Sequence, residues 1–388
     1  MDLRTAPALG LAVAHLDTWT AAPPTTENPG DPGIPVLARL VAGAGDPEAA
    51  AVAARAVAGW AAGAGRGPGG PALHGGLAGT LAGLRLGARL HPALHRAAGK
   101  LSDHLAGAAS GLRREDVAFP DYDLISGPSG TLLALCAGDV PGEGALTTLA
   151  GHLTALCDHD DLPRLRTGQY AGHPLLSWTH GRVNTGMGHG AAGVVTALTA
   201  ALRRTADPAT ALALRRATGW LAARSHVDAR GIRTWPGAGP DGDLPPPGAD
   251  PRQAWCYGTP GVSWALWDAA DALGDPYTAG WALAAFDSLA TRYDEDFHLF
   301  GDTPGDLLGL CHGAGGVLAV ADAFARHTGL PAARDLTGRL TAHLHDRLPA
   351  ALAAGWPPGL LGGPEGALSA LLTACGAARD WLPCLGLR

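Results

Sequence analysis

Gly190-Ala-Ala-Gly193-Val-Val-Thr-Ala-Leu198 is a Gly-x-x-Gly turn that runs straight into an apolar stretch, and the chain repeats this arrangement. It stands at Gly76-Leu-Ala-Gly79 before TLAGL and at Gly127-Pro-Ser-Gly130 before TLLAL. It returns at Gly258-Thr-Pro-Gly261 before VSWAL, Gly313-Ala-Gly-Gly316 before VLAV and Gly363-Pro-Glu-Gly366 before ALSAL. The first glycines are 51, 63, 68, 55 and 50 residues apart. One match carries little information; six at near-regular spacing mark an internal repeat.

Amphipathic stretches lie between the turns, among them Ala209–His226, Tyr277–Tyr293 and Ala332–Arg347. Their apolar residues fall at helical spacing, with Arg and Asp on the opposite face. No stretch alternates with the period of a strand. Each repeat therefore reads as an apolar inner helix followed by a half-polar outer one. Hairpins of this size build either an open solenoid or a closed ring. Six or seven of them with strongly apolar inner helices predict an all-α protein, an α/α toroid with its Gly-x-x-Gly loops gathered at one end. The glycines are expected to supply turns with φ > 0 and close backbone approach where the inner helices begin.

The segment up to Pro35, rich in Pro and Thr, reads as an N-terminal arm, with a single toroid domain over 36–388. Residues 42–70 read as a further helical element, and Gly237–Asp250 as a loop rimming the site. Apolar residues make up 47 % of the 388, which excludes a disordered chain. A net charge of −7 argues against a broad nucleic-acid footprint. No segment has the apolar length of a membrane span or a secretory core. Six scattered cysteines without a CxxC pair do not form a disulfide scaffold, and the chain reads as cytoplasmic and free-standing.

The chemistry-bearing residues sit on the repeat loops. Cys256 lies in RQAWCYGTPG, Cys311 and His312 in LCHGAGG, His189 in NTGMGHGAAG, and Asp123 in DYDLISGPSG. Two thiolates and one imidazole suit Zn²⁺, and three protein ligands leave the fourth position open, as in catalytic zinc sites. Adjacent Cys311 and His312 diverge by about 100° on a regular helix but can converge in a glycine-rich turn. Other readings exist for each residue. Cys256 and Cys311 could be core thiols, His189 a structural histidine, Asp123 a helix cap, and Arg252 and Tyr257 ordinary loop residues. Cys136, Cys157, Cys375 and Cys384 read as core, and Trp178, Trp235, Trp255 and Trp264 as wall or packing residues, the former reading placing them against substrate.

At these residues the chain resembles the lanthionine synthetase C-like cyclases. The matching segments are Tyr122-Asp123-x-x-x-Gly127-Pro-Ser-Gly130, Asn184-x-Gly186-x-x-His189-Gly190, Arg252-x-x-Trp255-Cys256-Tyr257-Gly258-x-Pro260-Gly261 and Cys311-His312-Gly313, in the family's order. The resemblance implies an α/α toroid with one zinc ion held by Cys256, Cys311 and His312. It implies acid–base or orienting roles for His189 and Asp123, with Arg252 and Tyr257 lining the site. The implied reaction, part of lanthipeptide antibiotic biosynthesis, adds a peptide Cys thiol to dehydroalanine or dehydrobutyrine and closes a (methyl)lanthionine thioether ring. The implied partners are a dehydrated precursor peptide and a dehydratase in a biosynthetic complex. The 47 residues between Gly79 and Gly127 leave no room for the small extra domain some members insert there. A second reading comes from relatives that keep the zinc yet hold glutathione or another thiol without making rings. A toroid glycosidase would need paired carboxylates on these loops, and none stand out; a zinc prenyltransferase fits the WCYG and CHG pattern poorly.

Overall fold

A computed structural model describes residues 5–23, 28–67, 69–106, 111–137, 143–239 and 252–388. In chain order its helices are α1 (Thr5–Ala21), α2 (Gly33–Ala42), α3 (Pro47–Ala64), α4 (Leu77–Gly87), α5 (Leu94–Ala106), α6 (Pro128–Cys136), α7 (Glu143–Leu156) and α8 (Ala191–Thr205). They continue with α9 (Pro208–Ala223), α10 (Thr259–Leu273), α11 (Pro276–Ala290), α12 (Glu295–His298), α13 (Pro304–Leu308), α14 (Ala314–Thr328), α15 (Pro331–Ala353) and α16 (Pro364–Ala374). Four two-residue strands, β1 (Val183–Asn184), β2 (His226–Val227), β3 (Arg233–Thr234) and β4 (Ala238–Gly239), pair as β1–β4 and β2–β3, both antiparallel.

All six turns deliver their first glycine to a helix N-cap, at the starts of α4, α6, α8, α10, α14 and α16. The inner helices they open are apolar around their circumference. Every residue of α6 is buried, as is Thr259–Ala270 of α10. The outer helices bury one stripe only: on α9 this is Thr210, Ala213, Leu214, Ala217, Thr218, Trp220 and Leu221, the 3–4 spacing of a single helix face. Three outer helices announce themselves with Asp-Pro: Asp46, Asp207 and Asp275 cap α3, α9 and α11, and the proline takes the first turn, where no N–H partner is needed.

The expectation of positive φ holds at Gly258 alone among the six first glycines, at +85°. At the other five the backbone is extended, and at Gly127, Gly190, Gly313 and Gly363 glycine is needed for space. The second glycines show this most regularly. A Cβ on Gly130, Gly193, Gly261 or Gly366 would collide with the carbonyl oxygen of Leu124, Met187, Trp255 or Leu360, in each case six residues earlier. The loop backbone folds over its own helix start, which only a residue without Cβ permits.

Two compact units are distinguished. The first comprises residues 1–70, 74–101 and 294–388, and the second 71–73 and 102–293. In the second, inner helices α6, α8 and α10 pack in series, each backed by its outer partner α7, α9 or α11. Neighbouring loops join through the backbone: Leu124 N–H donates to Gly188 O (3.1 Å) and Met187 N–H to Cys256 O (2.8 Å). In the first, α14, α16, α2 and α4 pack in series, with α15 behind α14 and α3 behind α2. There Leu310 N–H donates to Leu361 O at 2.8 Å.

The first unit contains a seventh turn, Gly30-Asp-Pro-Gly33, leading into α2. Residue 35, the end of the expected arm, lies inside this helix. Residues 5–21 of that arm form α1, with Ala8, Leu9, Ala12 and Leu16 buried and the helix packed on α3 and α16. In the expected rim loop Gly237–Asp250, Ala238 and Gly239 pair with β1, and residues 240–250 lie outside the described ones. Among the described residues, no helix is long and apolar enough to cross a membrane.

Candidate active-site residues

Asp123 is fully buried in the loop ahead of α6. Its Oδ1 accepts from Ser126 N–H (2.7 Å), Ser126 Oγ–H (3.0 Å) and Gly127 N–H (2.8 Å). The side chain thus closes the turn that the notion of a cap anticipates, although Gly127 is the N-cap. With Oδ1 occupied three times over, Oδ2 projects outward and meets His189 Nδ1 at 2.5 Å. A carboxylate acceptor at this position selects the imidazole tautomer with its proton on Nδ1, in which a neutral ring presents Nε2 as the acceptor.

His189 precedes the N-cap glycine of α8 and keeps about a third of its side chain exposed (35 %). Phe119 stacks on the ring with centroids 4.6 Å apart and planes 20° from parallel. Phe119 is in turn flanked by Tyr170 at 4.8 Å, whose hydroxyl accepts from Phe119 N–H at 3.0 Å. Tyr122 Oη donates to the His189 carbonyl at 3.1 Å. Burial pushes the Tyr122 hydroxyl well above the ordinary tyrosine range, so it stays a donor. The imidazole is fixed by a charge-assisted hydrogen bond at one edge and an aromatic face on one side.

The segment before α10 is braced from within. Gln253, buried, accepts from Thr259 N–H at 2.8 Å and donates to Thr234 Oγ1 at 3.1 Å, and Ala254 N–H donates to Tyr257 O at 2.9 Å. Cys256 is buried, and its carbonyl takes Met187 N–H, which sets the His189 loop beside it; a Cβ on Gly188 would stand 3.5 Å from the Cys256 Cβ. Tyr257 Oη accepts from Asn184 Nδ2 at 2.7 Å, while Asn184 Oδ1 accepts from Gly186 N–H at 2.8 Å. Arg252 opens the segment and is half-buried. The second unit thus gathers Asp123, His189, Cys256 and Tyr257 on three joined loops. Asn184→Ala strips partners from both Tyr257 and the Gly186 amide. It is expected to cost about 1–3 kcal/mol in chemical denaturation.

In the first unit, Cys311 and His312 occupy the bend between α13 and α14, held by Cys311 N–H donating to Leu361 O at 3.0 Å. Outside a helix the two neighbours do converge: Cys311 Sγ lies 3.7 Å from His312 Nε2. Zn–S of about 2.3 Å and Zn–N of about 2.0–2.1 Å at a tetrahedral angle put two such ligands roughly 3.6 Å apart, so the pair fits two vertices of one zinc ion. Asp306 Oδ1 stands 3.9 Å from His312 Nδ1, on the side that orients a metal-bound imidazole.

The other cysteines behave as core. Cys136, Cys157 and Cys384 are buried and Cys375 is half-buried, and no disulfide links any of the six. Burial pushes the Cys157 and Cys384 thiols up to about 12, far from nucleophilic. Trp235, Trp255 and Trp264 are packing residues; Trp178 is 45 % exposed, its ring 6.3 Å from that of Tyr257. Phe119, Tyr170, Gln253 and Asp306 carry no signal in the sequence, because each acts through a contact that only the folded loops create.

A family model described as lanthionine synthetase C-like protein matches residues 58–373. Among solved structures, nisin cyclase superposes with a TM-score of 0.75 at 18 % identity, covering 97 % of this chain and 96 % of that one. The common fold is the α/α toroid. No curated protein matches the chain.

Proposed function

Because the chain belongs to the lanthionine synthetase C-like family, we propose that it is a zinc-dependent cyclase that forms thioether rings in a dehydrated precursor peptide. The observation that carries the reading is the Asp123–His189 pair, which leaves an oriented Nε2 lone pair one loop from Cys256.

Cys256, Cys311 and His312 each offer one ligand atom and together form the proposed zinc set, two sulfurs and one nitrogen. Bound there, zinc supplies a Lewis acid that lowers the pKa of an incoming thiol. The remaining work falls to the protein. His189 Nε2 takes the proton released by the substrate cysteine, and Asp123 stabilises the imidazolium that results. The sulfur adds to Cβ of the dehydro residue, the π electrons move to Cα and its carbonyl, and Arg252 offsets the charge on that oxygen. His189 then returns its proton to Cα. One proton leaves sulfur and one arrives at carbon, so the ring closes without change of mass. Tyr257, fixed by Asn184, and the exposed Trp178 beside it form the wall that contacts the peptide.

The reaction consumes one thiol per ring. The protein incubated with a dehydrated precursor is expected to remove cysteines from reach of an alkylating reagent, read as missing mass increments. Unchanged thiol count with retained zinc would favour the thiol-holding alternative.

A further inference from the structure

The first unit holds a second candidate site, built from residues that the cyclase reaction does not use. A cavity of about 550 Å³ opens between the end of α1, α3 and the loop before α16, within the range of small-ligand sites. Trp19, Trp60, Ile34 and Pro358 give it apolar walls, and Asp31 and Glu365 line it as well. The two acids come from the variable positions of adjacent repeat turns, Gly30-Asp-Pro-Gly33 and Gly363-Pro-Glu-Gly366.

Asp31 explains itself only in part. In three other turns the amide three residues before the first glycine donates to a carbonyl of the next loop: Leu124 N–H to Gly188 O, Met187 N–H to Cys256 O and Leu310 N–H to Leu361 O. Leu360 N–H, in the equivalent position, instead donates to Asp31 Oδ1 at 2.8 Å, and Gly33 N–H shares that oxygen at 2.8 Å. An asparagine carbonyl would serve both amides equally and carry no charge. Yet the chain has an aspartate, whose Oδ2 receives no hydrogen bond from the described residues. Glu365 is satisfied at both oxygens, by His15 Nε2 (2.9 Å) and Gly359 N–H (2.8 Å). Arg66, exposed at the rim, forms no ion pair with either acid. Burial pushes the Asp31 carboxyl up to about 6, with Glu365 adding to the rise. The cavity thus combines indole walls, a carboxylate oxygen without a donor and an excess of negative charge.

We propose that this cavity binds an organic cation, a primary ammonium or guanidinium on an apolar stem, with Asp31 Oδ2 as the anchoring acceptor and Trp19 and Trp60 enclosing the stem. The cation supplies the missing donor and the compensating charge, and indole rings favour such a guest. The same chemistry occurs on a free alkylamine and on a lysine or arginine side chain of a peptide.

The test uses the full-length protein and Asp31→Asn. The variant should fold: it keeps the acceptor for Leu360 and Gly33. Its stability also follows a sign that can be checked. A carboxyl raised in the folded state favours folding below its unfolded pKa of 3.8 and loses that contribution as pH rises through about 6. His15, Glu365, Arg66 and the buried Cys384 thiol are the other titratable groups near it, and the substitution leaves them in place. Asp31→Asn is therefore expected to unfold at a higher temperature than wild type at pH 8, with the difference closing near pH 4. Calorimetric titration at pH 8 with n-butylammonium, its neutral counterpart n-butanol, and the peptides acetyl-Ala-Lys-Ala-amide and acetyl-Ala-norleucine-Ala-amide reads the binding. Both cations are expected to bind and both neutral analogues to fail, with Asp31→Asn weakening the cations by roughly thirtyfold or more. Tighter binding of the lysine peptide would identify a peptide guest, and tighter binding of the amine a free one. Equal binding of cation and neutral analogue, unchanged affinity in Asp31→Asn, or no heat from any probe at tens of millimolar would overturn the proposal. Zinc content and ring closure are unaffected in Asp31→Asn whichever way these titrations fall, so this site and the cyclase reading stand or fall separately.

Discussion

Replacing His189 with alanine is expected to slow ring closure by roughly 10²–10⁴-fold while leaving the bound zinc unchanged. On the proposed mechanism, the size of the loss reflects one group serving two steps, removing a proton from sulfur and delivering it to carbon. Asp123→Asn separates orientation from chemistry. Asp123 Oδ1 is committed to Ser126 and Gly127, so the amide oxygen of asparagine goes there and its NH₂ faces His189 Nδ1. That NH₂ donates, which moves the ring proton to Nε2 and removes the lone pair needed to accept from the substrate. The variant should fold, retain zinc and lose most of its turnover at saturating peptide. Turnover near the wild-type rate in Asp123→Asn would show that the tautomer does not matter. Single-turnover thiol consumption, followed by alkylation and mass measurement, distinguishes these outcomes.

Gly261→Ala is expected to destabilise the protein by about 3 kcal/mol or more, among the largest effects available to a single methyl group. The added Cβ would collide with the Trp255 carbonyl and would meet the Met187 Cβ at 2.9 Å. Both neighbours sit in the loops that hold Cys256 and His189, so the backbone that must move is the backbone of the site. Gly280→Ala is the matched control. Gly280 is exposed within α11, nothing lies within 4 Å of its added Cβ, and alanine there should stabilise by about 0.5–1 kcal/mol. Equal denaturation midpoints for the two variants would mean that the turn glycines are dispensable.

The fold was legible because the repeat is written in glycine, and glycine marks where two stretches of backbone touch. Gly130, Gly193, Gly261 and Gly366 meet the same carbonyl six residues back, a constraint that no other residue type satisfies. Of the two reasons assigned to the first glycines, positive φ holds only at Gly258 and close backbone approach at Gly127, Gly190, Gly313 and Gly363, since both select the same residue and sequence does not separate them. Gly30-Asp-Pro-Gly33 obeys the pattern as well, yet the proline- and threonine-rich run before it drew attention toward an arm and away from α2. The strands are two residues long, too short for any alternation to show. In the candidate site, His189 and Asp123 stood out because each neighbours a turn glycine. Phe119 did not, since its stacking on a ring seventy positions later leaves no local pattern. Asp31 stayed hidden for a similar reason: its relation to Leu360 spans nearly the whole chain.

The zinc set is tested most directly by X-ray absorption at the zinc edge on purified protein, alongside metal content. Wild type is expected to hold one zinc with two sulfurs near 2.3 Å and one imidazole nitrogen near 2.0 Å, plus one further light atom that a thiol replaces as a third sulfur. Cys256→Ala and Cys311→Ala should each lose the metal, and His189→Ala should keep it. Wild-type protein without stoichiometric zinc, or zinc bound as firmly in Cys311→Ala as in wild type, would contradict the assignment of Cys256, Cys311 and His312 as its ligands.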